Sequence, residues 1–451
     1  MRRSKHRGLK AAVLLPGLLA LAGCGGWANW TGLGKGEGNV VTRFLQGDFL
    51  RGQETVSTRK AAMVRGETSE IIAELQDRRT ILKPESPYGA VAVAVQASSA
   101  RTAEAELRAA KLRAQAASKN WLPSIGPNIS LNSLGEVVTS LFIEQVIYDN
   151  GRKKAERDFA AHDVEFAAVS LSEDSNARVH DALTLYLAAE EGREKVAVAD
   201  RSLKDMSHFE WVMNERVKGG VSDRSDLNVI RQKLAEIRAG REAAIGETRV
   251  SLAELAAMAG KPLNDLRGVP AMHVDDGGVA PLTVLRAKAD RDRTIAQAKV
   301  TRAGHLPGLK ATGTVTGDTS DYGLSVAADQ LLGLGTAASL GAIAAAEEAA
   351  GRNVAQAEED ARRRMASLRQ RETALALQLV EANKLARQAK RTLDLFQAQY
   401  KGGARQVMDV VGVYETWAKQ IQTAIALKYE LARIQIELAR DYGLLADGRK
   451  I

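Results

Sequence analysis

The sequence predicts a mainly α fold with a transmembrane β-barrel portion, made from a duplicated unit of long α-helical coiled coils and β-hairpins. Three observations carry this prediction. The first is repetition. Residues 217–235 read VKGGVSDRSDLNVIRQKLA and residues 400–418 read YKGGARQVMDVVGVYETWA. Lys218-Gly219-Gly220 recurs as Lys401-Gly402-Gly403, and Asp226 as Asp409, at a shift of 183 residues. Trp121-Leu122-Pro123 is echoed by His305-Leu306-Pro307, and Glu144-Gln145-Val146-Ile147 by Asp329-Gln330-Leu331-Leu332, in the same order and at nearly the same shift. Solenoid repeats have periods of about 20–50 residues, so these copies are two halves of one architecture. The second observation is composition: 45% of residues are hydrophobic but only 4% aromatic. Alanine carries much of the apolar content, which suits long, closely packed helices. The third is a switch from helical to alternating periodicity ahead of each glycine motif.

The elements follow in order. MRRSKHRGLK is basic and Ala11–Ala22 is apolar, the n-region and h-region of a secretory signal. The apolar run is too short to span a bilayer as a helix. It ends in Leu21-Ala22-Gly23-Cys24, which resembles the bacterial lipobox, so residues 1–23 are read as a lipoprotein signal peptide and Cys24 as the acylated first residue of the mature chain. Cys24 is the only cysteine, which rules out an intrachain disulfide. Gly25 stands where an aspartate would favour inner-membrane retention. Removing residues 1–23 takes the net charge from +8 to +3. The basic balance is thus partly a property of the signal, and it does not form the clustered basic face of a nucleic-acid binder. Residues 24–87 are a lipidated tether and extension. The tether's Gly34-Lys-Gly-Glu-Gly lacks the spacing and flanking elements of a phosphate loop.

The first repeat spans 88–260. A helical pattern runs from Tyr88 to Lys119, with Ala103, Leu107, Ala110 and Ala114 on one face. Residues 124–148 then alternate: Ile129 and Leu131 interleave with Asn128 and Ser130, while Val137, Leu141 and Ile143 share one parity and Ser140 and Glu144 the other. Two strands of about ten residues with one apolar face suit a membrane-barrel hairpin; a small soluble hairpin would read alike. Asp149-Asn150-Gly151 closes the strand and caps a proline-free helix over 151–216, about 100 Å long at about 1.5 Å per residue. Gly219-Gly220 ends it, and Ser222 or Asp223 caps a return helix to Ala259. After a linker over 261–281, the second repeat, 282–446, repeats the plan: a helix over 282–303, a hairpin within 306–331, a long helix over 337–400, the Gly402-Gly403 turn and a return helix over 408–446. Residues 447–451 form a tail. In each half, one long helix matches two shorter ones stacked end to end. Such helices cannot bury themselves alone and require lateral partners.

Signal, strand pairs, long helices, duplication and the two Gly-turn-Asp motifs together resemble the TolC family of bacterial outer-membrane efflux proteins, over roughly residues 88–446. The most specific parts are Tyr148-Asp149-Asn150-Gly151-Arg152 and the turns with Asp226 and Asp409. The resemblance implies a homotrimer forming an α-barrel/β-barrel tube, with four strands per protomer in one twelve-stranded outer-membrane barrel and a long periplasmic helical barrel. It implies export of small molecules or unfolded protein with a periplasmic adaptor and an inner-membrane transporter as partners, a lipid on Cys24 as the only attached group, and no cofactor. It places Tyr400 and Arg405 on the family's entrance latch, with Asp226 as their partner on the neighbouring coil, and Asp409 on an acidic ring. Three such carboxylates around a narrow aperture attract cations. Gly412 stands where a second acidic residue is expected, against a second ring. The plainer alternative is that Asp226 and Asp409 cap their helices. Gly219, Gly220, Gly402 and Gly403 form turns that also let an adaptor approach. Leu227 and Val410 are candidates for that contact, with core packing the favoured alternative.

Two other classes compete. Catalysis finds no support: His162, His180, His208, His273 and His305 show no metal-ligand spacing, His6 leaves with the signal, and no serine sits in a nucleophile elbow. A periplasmic coiled-coil adaptor or structural lipoprotein shares the long helices, but it usually carries one helical hairpin; here each hairpin follows its own strand pair.

Overall fold

Each long proline-free segment folds as one helix. The computed structural model describes residues 69–450 except 99–101, 132–136, 276, 318 and 331–332; the predicted signal peptide, Cys24 and the glycine-rich tether lie outside the described residues. The elements are α1 (Glu70–Asp77), α2 (Pro87–Ala97), α3 (Thr102–Ala117), β1 (Ser124–Leu131), β2 (Val137–Tyr148), α4 (Arg152–Lys218), α5 (Arg224–Ala259), α6 (Leu282–Gly304), β3 (Gly308–Thr316), β4 (Thr319–Ala327), α7 (Thr336–Lys401) and α8 (Val407–Asp441), then a 3-10 turn at Gly448–Lys450. Long helices α4 and α7 have 67 and 66 residues.

The pairing is that expected from the lengths. Helix α4 packs along both α3 and α5, and α7 along both α6 and α8. Helices α6 and α8 also touch α4, so they join the two halves. Close contact between α4 and α5 depends on Gly192, where a Cβ would come within 2.2 Å of the Thr248 hydroxyl and 3.0 Å of the Ala244 carbonyl. The four strands form one antiparallel sheet in the order β1-β2-β3-β4. Strands β2 and β3 pair across the repeats, Leu141 with Val315 and Ile143 with Gly313.

Three apolar clusters hold the helices. The largest joins α2, the middle of α4 and the C-terminal part of α8, and residues of the 261–281 segment pack on it through Leu263, Leu266 and Val269. A second joins α1, α3, α4 and α6. The third lies at the glycine turns. Buried Arg78 ties α1 to distant segments by donating to the carbonyls of Tyr442 and Ala280, both at 2.8 Å, and to Glu74 at 2.9 Å. Asn176, buried in α4, accepts from Leu445 N and Ala446 N at 2.8 and 3.1 Å.

Two expected helices differ in extent. The 88–119 pattern is two helices, α2 and α3, and Ser98 after α2 donates to the Met258 carbonyl at 2.6 Å. The last return helix stops at Asp441, because Gly443 takes the left-handed conformation (φ 69°) and Leu444 N bonds back to Ala439 O at 2.8 Å. That is a Schellman C-cap, and Gly443 was its readable signal.

Candidate functional site

The two glycine turns are the same structure made twice. After α4, Gly219 N bonds Glu215 O, Gly220 N bonds Val217 O, and Val221 N bonds Arg216 O, at 2.9, 3.1 and 2.8 Å. After α7, Gly402 N bonds Ala398 O, Gly403 N bonds Tyr400 O, and Ala404 N bonds Gln399 O, at 3.1, 2.9 and 2.9 Å. Every atom pair corresponds at the 183-residue shift. Gly220 and Gly403 carry the positive φ, 72° and 79°, which a side chain disfavours.

The side chains across the turns then diverge. Arg216 Nε donates to Ser222 Oγ at 3.1 Å, while Arg405 Nε donates to Gln399 Oε1 at 3.1 Å. These are the same two positions with donor and acceptor exchanged, so the arginine sits before the first turn and after the second. The Arg405 guanidinium also lies over the Phe396 ring, 4.5 Å from its centroid. Tyr400 meets Phe209 edge-on at 6.4 Å, which ties α7 to α4.

The start of each return helix differs too. Asp223 accepts from Ser225 N at 3.2 Å and caps α5. Gln406 and Asp409 form a capping box on α8, with Asp409 Oδ2 accepting from Gln406 N at 3.2 Å. Asp409 is thus engaged in the cap of α8. Asp226 stands in the first turn of α5, and among the described residues its side chain has no hydrogen bond or ion pair within the chain. Among the described residues no hydrogen bond or ion pair joins Asp226 to Tyr400 or Arg405 inside one protomer.

Behind the turns, α4, α5, α7 and α8 share one core. Met206, Phe209 and Met213 of α4 pack with Leu227, Ile230 and Leu234 of α5, Leu393 of α7, and Val410, Tyr414 and Trp417 of α8. The Tyr414 hydroxyl reaches Asp205 Oδ2 at 3.1 Å, and burial pushes its pKa up. Lys233 of α5 pairs with Glu415 of α8 at 3.3 Å. Leu227 and Val410 are 5% and 0% exposed. Their side chains thus fill the core, while the four glycines, Val221, Lys218, Lys401 and Arg405 are exposed at the turns.

At the other end, the sheet has two unlike faces. The register places Ile125, Ile129, Val137, Leu141, Tyr322, Leu324 and Val326 on one face, and these are 43–74% exposed. The opposite face carries Ser124, Asn128, Ser140, Glu144, Lys310, Thr312 and Thr314, with Phe142 and Val146 among its apolar exceptions. Contiguous apolar exposure of this kind marks a surface built to be covered. Asp149 anchors the junction with α4, accepting from Gly151 N at 3.1 Å and Lys153 N at 2.6 Å, and Asn150 donates to Pro307 O at 2.8 Å. Among the described residues no helix is long and apolar enough to cross a membrane, and no group of acidic, histidine or cysteine side chains is placed to hold a metal ion.

An open four-stranded sheet on paired long helices is the fold shared with solved outer-membrane channels. The chain is similar to the structure of a membrane protein from Pseudomonas aeruginosa, with a TM-score of 0.69 at 14% identity over 82% of this chain and 92% of that one. It is similar to the outer membrane protein VceC of Vibrio cholerae, TM-score 0.65 at 14% identity, covering 83% and 95%, and to the open state of the MtrE outer membrane channel of Neisseria gonorrhoeae, TM-score 0.65 at 16% identity, covering 84% and 89%. No protein-family model and no curated protein matches the sequence.

Proposed function

We propose that the protein is the outer-membrane channel of a tripartite export system, a passive duct from a periplasmic entrance at the glycine turns to the outside. It works as a homotrimer anchored by a lipid on Cys24, with a periplasmic adaptor and an inner-membrane transporter as partners and no catalytic step of its own. The sheet is the observation that carries this reading. Its exposed apolar face suits lipid and its polar face suits a water-filled lumen, yet β1 and β4 leave unpaired edges, which cost several kcal/mol per group in hydrocarbon. Further copies of the chain remove those edges by closing a barrel. An adaptor without its own pore would leave the apolar face without an environment. In this reading Asp226 of one protomer meets Tyr400 and Arg405 of the next at the closed entrance.

Planar-bilayer recording on the purified full-length protein, with native mass spectrometry in detergent, tests this. Discrete conductance from a trimer is expected. A protein that neither trimerises nor conducts overturns the proposal.

A further inference from the structure

The echo of Glu144-Gln145 in Asp329-Gln330 has a meeting point in the fold. Lys310 of β3 lies between the two repeated acids, with Nζ 3.4 Å from Glu144 Oε1 and 3.5 Å from Asp329 Oδ1. Arg152, the first residue of α4, pairs with Asp329 on the other side and with Glu156 at 3.0 Å. The side chains of Glu144, Lys310 and Arg152 are half-buried and that of Asp329 is exposed. They line a cavity of about 190 Å³ where the sheet joins the helices. Glu144 and Lys310 belong to the polar face of the sheet, opposite Leu141, Leu324 and Val326.

We infer that Glu144, Lys310, Asp329 and Arg152 form a charge-balanced collar on the inner wall of the duct and set its ion preference where the strand barrel meets the helical barrel, with Lys310 as the specificity-determining residue. The inference rests on the channel reading, because only a barrel makes the polar face a lumen. The physical argument is one of balance. The charged residues lining the cavity, Glu144, Asp149 and Asp329 against Arg152, Lys153 and Lys310, balance within each protomer, so the wild-type collar favours neither sign of permeating ion. Lys310 is the member that lies against both repeated acids, Glu144 and Asp329. Removing it leaves excess negative charge on the inner wall, which attracts cations and repels anions. Removing Glu144 leaves the opposite excess.

The test is reversal potential across a KCl gradient in planar bilayers, at low ionic strength, where screening is weakest, using the full-length wild type, Lys310→Gln, Glu144→Gln and the double variant. Lys310→Gln should raise the cation-to-anion permeability ratio by about twofold or more, and Glu144→Gln should lower it by a similar factor, as expected for one unit charge gained or lost per protomer on the lumen wall. The double variant should return toward wild type. If wild type conducts and both single variants reverse at its potential, the ion pairs only weld the two repeats together and the inference is overturned. A wild type that never conducts overturns the channel reading itself. Should one variant fail to assemble, the remaining single variant alone decides, through the sign of its shift.

Discussion

Asp226 and Asp409 occupy equivalent positions, yet their surroundings give them different work. Asp409 is engaged at home, its carboxylate closing the capping box on α8, whereas Asp226 has no partner among the described residues. Asp409→Ala is therefore expected to cost about 1 kcal/mol of stability, the usual worth of such a cap, read from chemical denaturation. Asp226→Ala should leave the unfolding midpoint nearly unchanged and instead raise single-channel conductance, as should Arg405→Ala. Unchanged conductance in both would leave the entrance without a latch at these residues. A titrating residue gives a second prediction at this scale. His162 Nδ1 lies 2.8 Å from Glu165 Oε2, and that hydrogen bond, with the nearby carboxylates of Asp292 and Asp158, holds its pKa above the ordinary 6.5. A raised folded pKa stabilises the fold fully below 6.5, and the contribution fades as pH climbs through the folded value. Thermal unfolding should show a loss of stability above 6.5 that His162→Gln lacks. An identical pH profile in the variant would remove the assignment.

At the scale of elements, the glycine turns carry the most information and were the most legible part of the chain. The Gly-Gly pairs are visible as letters because only glycine accepts the left-handed position without strain, and the fold repeats all three turn hydrogen bonds at the same shift. The strand faces were legible for a similar reason, since parity alone assigns Val137 and Leu141 to one side. What was not legible depended on contacts between distant segments. Leu227 and Val410 read either as partner contacts or, preferably, as core, and the choice depended on the four helices that share the tip core and bury both. The swap of Arg216–Ser222 for Gln399–Arg405 needed the turn geometry before the paired positions could be matched. Arg78 reads as an ordinary charged residue, and only the fold shows it gripping the Tyr442 and Ala280 carbonyls. The turns permit a clean test. No atom lies within 4 Å of a Cβ built on Gly220 or Gly403, so substitution meets backbone strain and no clash. Gly220→Val and Gly403→Val should each destabilise by about 1–2 kcal/mol, the cost of a left-handed L-residue, and the effects should add because the sites belong to separate turns. Denaturation midpoints equal to wild type would mean that the turns relax to another geometry.

At the scale of the molecule, a single copy ends in open edges on both sides. Strands β1 and β4 lack outer neighbours. Helix α5 leans on α4 and exposes Val229 and Val250, while α7 leans on α6 and α8 and exposes Leu377, Val380, Leu385 and Leu395. Helices α5 and α7 do not lie side by side within the chain, so each presents an apolar flank with no partner of its own, alongside a sheet edge that also has none. The economical closure sets α7 of one copy against α5 of the next and β4 against β1, around a ring. Because Cys24 is the only native cysteine, the arrangement can be tested with introduced thiols. Val229 stands six residues beyond the cap Asp223, and Leu395 seven residues before Gly402, so both lie at nearly the same height above the tip. A full-length chain carrying Val229→Cys and Leu395→Cys, treated with a short bismaleimide, should give a ladder on denaturing gels that stops at three chains, and each single variant should stay monomeric under the same treatment. A ladder running past three would mean a larger ring. Only intrachain cross-links would place α5 and α7 of one copy together, and the protomer would then close on itself without partners.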